Sequence, residues 1–315
     1  MSIASSVFAQ GTPTPPAATP KPATPVQPAP SAQPADKPTE KPAATPASNM
    51  PTADELVKKH VAALGGEAAF LAVKSITTAS TIDMTTAGIK GTMLTQMTEP
   101  NRFVSSMDLG AVGTVRQGFD GTTAWSIDPM QGPRLLAGKE LDHLKRESDF
   151  RRDLSLLKDY TDVTVVGKTT FAGHDAYEVH AKGDPGEMTL YFDATSNLLC
   201  GMKTNVESGL GAVPVETVIA EYRSFDGPGG AIKVPSRSEI AMMNQGQKMV
   251  VVVDRVDFAP LDEKLFALPA EIAALVAAQS QPADKAPDAP KPDAPKPNAP
   301  AKPATPTKPE QPAQR

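Results

Sequence analysis

Apolar residues first repeat at helical spacing, with Leu56, His60, Val61 and Leu64 falling on one side of a helix that Gly65-Gly66 would end. Thr52 followed by Glu55 has capping-box spacing, which puts the start of that helix at Thr52. A short second helix is expected over residues 67–73. After Lys74 the period drops to two: Ile76, Thr78, Ser80, Ile82 and Met84 alternate, then Met93, Thr95 and Met97, then Phe103, Ser105, Met107 and Leu109. This alternation predicts three antiparallel strands, with a turn or a bulge marked by Gly88 and Gly91 and a turn at Glu99-Pro100-Asn101.

Gly118-Phe119-Asp120-Gly121 is a hairpin signal, because Asp-Gly supplies the positive φ that a tight turn needs. The run that follows puts Trp125 and Ile127 on one face of a strand, which Asp128-Pro129 and Gly132-Pro133 then break. Residues 141–160 return to helical spacing, with a break near Ser148. Leu141, Leu144, Phe150, Leu154 and Leu157 lie on one side, and Lys145, Arg146, Arg151, Arg152 and Asp153 on the other. A solvated face accounts for that basic cluster better than contact with lipid head groups. The second half reads as strands at 163–168, 176–181, 188–193, 198–206, 215–222, 232–234, 237–243 and 248–258. Turns rich in Gly, Asp and Asn separate them, among them residues 172–175, 183–186, 193–197 and 244–247. The fold class is therefore mainly β (α+β): about 11 antiparallel strands in one strongly curved sheet, with helices against its inner face.

Composition separates this region from its flanks. Of 33 prolines, only ten lie within residues 51–278. Residues 10–50 and 279–315 are Pro-, Ala- and Lys-rich tails that bury too little apolar surface to offset their ordering entropy, so disorder is expected in both. The central region holds 22 basic and 30 acidic side chains within a net charge of −5 for the whole chain. An acidic domain with one Trp and four Tyr lacks the basic, aromatic footprint of a nucleic-acid binder. A single cysteine, Cys200, rules out an internal disulfide and any paired-cysteine metal motif; its apolar flanks suggest a buried strand residue. No apolar run is long enough to span a membrane. Residues 1–9 end on Val7 and Ala9 in a small-x-small pattern, read as the remnant of a secretory signal and hence export to the periplasm. An ordinary polar N-terminus is the competing reading. No Cys follows that site, so no lipid anchor is expected there.

Candidate chemistry is sparse. No nucleophile elbow, zinc-protease, Walker or dinucleotide-binding pattern occurs in a fitting context, and neither an enzyme nor a cofactor is expected. His60, His143, His174 and His180 fall on a helix, a helix, a turn and a strand, with no metal-ligand spacing among them. The unusual feature is methionine: ten of the twelve lie in or beside strands, where β-branched residues ordinarily dominate. Their thioethers suit either a remoulding apolar ligand surface or ordinary gap-filling in a core.

Several short runs together resemble the bacterial outer-membrane lipoprotein-sorting-like proteins, periplasmic carriers. They are Ala62-Ala63-Leu64-Gly65-Gly66, Gly118-Phe119-Asp120-Gly121 with Trp125-Ser126, and Leu190-Tyr191-Phe192-Asp193-Ala194-Thr195-Ser196-Asn197-Leu198-Leu199. Tyr222-Arg223-Ser224-Phe225-Asp226-Gly227 and Leu265-Phe266-Ala267-Leu268-Pro269 continue the likeness over most of residues 52–269. The resemblance implies an unclosed β half-barrel, a helical lid over an apolar cavity, and acyl-chain binding without catalysis. Met93, Met97, Phe103, Met107, Trp125 and Ile127 are then the expected lining of a pocket between sheet and lid, since consecutive antiparallel strands place alternate side chains together. The expected partner is a lipid or acylated protein. The alternative is a structural or sensory envelope module that binds a protein while its tails tether it to the cell wall.

Overall fold

The computed structural model describes residues 50–208, 211–243 and 246–280. The expected signal remnant lies outside them, as do both Pro-rich tails except residues 50, 279 and 280, and part of the turn expected at 244–247.

Helix α1 (Ala53–Leu64) starts at the capping box: Thr52 Oγ1 accepts from Glu55 N at 3.2 Å and Glu55 Oε2 accepts from Thr52 N at 2.9 Å. Gly65 ends it at φ +132°, a conformation that side chains disfavour. A short helix, α2 (Glu67–Ala72), leads into six strands: β1 (Ser75–Met84), β2 (Ile89–Thr98), β3 (Arg102–Asp108), β4 (Thr114–Phe119), β5 (Ala124–Asp128) and β6 (Gly132–Leu135). Helix α3 (Lys139–Glu147) and a 3-10 turn (Arg152–Ser155) then connect to a second meander. Its strands are β7 (Tyr160–Phe171), β8 (His174–Gly183), β9 (Gly186–Asp193), β10 (Leu199–Ser208), β11 (Gly211–Gly227), β12 (Gly230–Met242) and β13 (Gln247–Asp257), followed by helix α4 (Ala270–Ser280).

All thirteen strands form one antiparallel sheet in the order β6-β5-β4-β3-β2-β1-β13-β12-β11-β10-β9-β8-β7. The two meanders meet where the first strand pairs with the last, Ile82 opposite Val251. They become two wings, with β6 and β7 as free ends. Curvature follows from one helix: α3 touches β4 and β5 in one wing and β10 in the other. In a flat sheet β5 and β10 would be eight strand spacings apart, about 38 Å at about 4.8 Å each. A helix of nine residues is only about 13 Å long. The sheet must therefore curl around α3 into an unclosed half-barrel.

The strand count of thirteen exceeds the expected 11, and two readings within the sheet differ in detail. β5 ends at Asp128, and Gly132 and Pro133, read as strand breakers, start β6 and pair with it; an edge strand needs amide donors on one side only. Residues 232–234 and 237–243, read as separate strands, are joined in β12 through Pro235. Pro235 stands opposite Tyr222 where the β11 register shifts, a bulge that tolerates a missing ladder donor. The helix expected over residues 141–160 breaks at Ser148 as read, where Ser148 Oγ donates to the Lys145 carbonyl at 2.7 Å, but beyond it only the 3-10 turn continues.

Candidate functional site

The six residues expected to line a pocket do not surround one space. Register puts Met93 opposite Met107 and Met97 opposite Phe103, so these four share the concave face. Met93 and Met107 pack into a cluster drawn almost wholly from strands, with Ile82, Ile240 and Met249. Phe103 packs with Phe119, Ala124 and Leu144 of α3, and Met97 sits against that group. A polar row separates the two sets: Thr78, Thr95, Ser105, Gln117 and Ser126 stand opposite one another across β1 to β5. All five are buried, and the Thr95 and Ser105 hydroxyls lie 3.4 Å apart.

Trp125 and Ile127 lie on the opposite, convex face. They pair with Gly118 and Arg116, one residue out of step with the Phe119–Ala124 pair that packs with Leu144. A Cβ added to Gly118 would stand 2.6 Å from the Trp125 ring, so the glycine makes room for the indole. The chain after β13 is tied to this same face, through Arg116–Glu271 at 2.8 Å and Arg102–Glu263 at 3.8 Å. The alternation that puts Trp125 and Ile127 together also separates them from Phe103.

An open cavity lies instead in the other wing. A groove of about 940 Å³ runs between α1 and residues 154–158, reaching Tyr160 and Val163 at the start of β7. Helix α1 has two apolar stripes with a period of four. Leu56, His60 and Leu64 are buried beneath it, while Ala53, Val57 and Val61 face the groove. Beneath the groove is a cluster containing Leu56, Leu156, Val179, Met188, Leu190 and Phe192, to which Val57, Leu157, Tyr160 and Val163 are joined. Lys58, Lys158, Asp54 and Glu67 give it a charged rim of balanced sign.

His60 supports the groove from below. It is 1% exposed, its ring meets Phe192 edge-on at 5.7 Å, and burial pulls its pKa down to about 3, so it stays neutral. A hydrogen bond with the Asn197 backbone partly opposes that shift, while Nδ1 has no partner among the described residues. Tyr160 marks the groove's other end; burial raises the pKa of its hydroxyl, which donates to Met188 Sδ at 3.8 Å. Cys200 is buried in β10 and its thiol is pushed up to about 11 by burial, which leaves little nucleophilic thiolate. Among the described residues, no three His, Cys, Asp or Glu side chains gather as a metal-binding group.

Sequence reading missed Ala53, Val57, Val61, Leu154, Leu156 and Val163 as cavity residues. A signal existed: the stripe Ala53, Val57, Val61 beside Leu56, His60, Leu64 makes α1 apolar over a wider arc than one buried face needs. The methionines divide likewise. Met84, Met93, Met107, Met188, Met202, Met242 and Met249 fill the packed clusters, while Met130 and Met243 are exposed.

No protein-family model and no curated protein matches the sequence. Solved structures do resemble it. A putative outer membrane lipoprotein-sorting protein domain from Vibrio parahaemolyticus has a TM-score of 0.44 at 11% identity, covering 67% of this chain and 94% of that one. A LolA superfamily protein from Nitrosomonas europaea has a TM-score of 0.43 at 12% identity, covering 70% and 99%. A DUF1329 family protein from Desulfovibrio piger has a TM-score of 0.45 at 12% identity, covering 68% and 96%. The likeness is one of fold at low identity, and it supplies neither a ligand nor a partner for this chain.

Proposed function

We propose that this protein is a non-catalytic binder of an apolar or lipidic ligand, held in the groove between α1 and residues 154–163. The groove carries this reading: about 940 Å³ of open space is at the upper end of ligand-site volumes, about 300–1,000 Å³. It lies directly over an apolar cluster, where ligand burial gains about 25 cal/mol per Å² of apolar area. The first wing suits an acyl chain less, because the buried row from Thr78 to Ser126 interrupts its apolar surface. Met97 and Phe103, under α3, would meet a ligand only if that helix lifted. Export to the periplasm accords with the Val7-x-Ala9 site and with acyl-bearing cargo.

The test is a native mass spectrum of freshly purified protein, followed by fatty-acid titration of wild type and Val57→Glu. Copurifying lipid and saturable binding are expected in wild type. The variant should bind at least about tenfold more weakly, because its carboxylate would be desolvated against the ligand chain. Trp125 emission should stay constant during the titration, since its ring lies on the other face of the sheet. Absence of both retained lipid and saturable binding would overturn the reading in favour of a partner-binding envelope module.

A further inference from the structure

A second cavity, of about 500 Å³, adjoins the groove at residues 154–160. Leu154, Ser155, Leu156 and Tyr160 line both spaces. The new residues in its lining are mostly charged, with Lys145, Arg146, Arg151 and Arg152 set against Asp149 and Asp159.

Two of the four cations are occupied in holding the fold. Arg152 is paired with Glu147 on α3. Arg151 bridges to Glu99 at 2.7 Å, donates to the Val73 carbonyl at 2.7 Å, and reaches the Leu71 carbonyl at 3.2 Å, tying the end of α2 to the β2–β3 turn. Asp149 accepts from Arg151 N at 2.9 Å, a backbone bond that supplies no countercharge. Lys145, exposed, and Arg146, half-buried, have no ion pair among the described residues. The charge of Arg146 reaches the shared wall: at the Tyr160 hydroxyl burial raises the pKa, and Arg152 and Arg146 oppose it.

We infer that the ligand is an amphiphile with an anionic head group, its chain in the α1 groove and its head in the second cavity, with Lys145 and Arg146 as counter-ions. This rests on the groove reading above and adds the chemistry of the ligand's polar end. Two cations in the last turn of α3 also complement the helix dipole. That role alone would affect stability and leave ligand choice unchanged.

The full chain is titrated with three probes of equal chain length: oleic acid, oleoyl lysophosphatidic acid and neutral mono-oleoylglycerol. Wild type should prefer at least one anionic probe over the neutral one by about three- to tenfold, as two partly screened ion pairs allow. Raising salt should erase that preference. Which anion wins distinguishes a carboxylate head from a phosphate head. In K145E/R146E the preference should vanish while neutral binding persists. If that variant does not fold, Arg146→Gln and the salt series on wild type give the same readout. Equal binding of neutral and anionic probes, or a preference that survives charge reversal, overturns the inference and leaves the groove reading standing. Failure of all three probes overturns both.

Discussion

His60 shows how one side chain couples the fold to pH. Its pKa falls from an ordinary 6.5 to about 3 in the native state, so between those values the unfolded chain binds more protons than the folded one. Stability from this residue is complete above about pH 6.5 and is lost as pH falls toward about 3, amounting to about 2 kcal/mol by pH 5. Asp193 and Glu99 act lower. Hydrogen bonds from Ser196 and His174 outweigh burial at Asp193, and Lys74 holds Glu99 down, so their contributions fade only below the ordinary carboxylate range. Urea midpoints compared at about pH 7 and pH 5 should show this loss in wild type and a flatter response in His60→Gln. An unchanged slope in the variant would assign the pH dependence elsewhere.

Among the elements, α1 and α3 are held by different forces. The N-terminus of α1 rests on the exposed capping box of Thr52 and Glu55, whereas α3 is anchored by Leu144, which is 1% exposed among Phe103 and Phe119. A second anchor joins Arg134 of β6 to Glu140 of α3 through two hydrogen bonds of 2.9 Å. Thr52→Ala should therefore cost about 1 kcal/mol, and Leu144→Ala about 2–5 kcal/mol, since it leaves a cavity under the helix that spans both wings. Equal losses in chemical denaturation would mean that α3 does not fill the interior as described.

At the scale of the whole molecule, the two wings share a seam and a core. The β1–β13 pairing joins residues far apart in sequence, and α3 touches strands on both sides of the seam. Neither wing keeps its inner face covered without the other, so unfolding should be one cooperative transition. Trp125 reports on the first wing, and Tyr177 and Tyr191 on the second. Their fluorescence transitions should coincide with loss of the far-ultraviolet β signal. A Trp125 transition at lower denaturant would reveal wings that melt separately.

Much of this architecture is local and therefore readable along the chain. The capping box at Thr52, the change of period after Lys74, and the Asp120-Gly121 and Asp193–Asn197 turns depend on neighbours a few residues away, and they form as read. Alternation also placed Trp125 with Ile127, and Met93 with Met107, on common faces. Which face of β5 looks toward α3 follows from its hairpin register with β4, Phe119 opposite Ala124, set by the turn over residues 120–123; alternation within β5 alone did not carry that choice. The groove has a long-range origin: Val57 on α1, Leu156 after the 3-10 turn and Val163 on β7 meet only because the sheet curls and returns the chain to its first helix. Periodicity specified which residues are apolar together within an element. Pairing of distant strands selected which of those surfaces are packed shut and which remain open to a ligand.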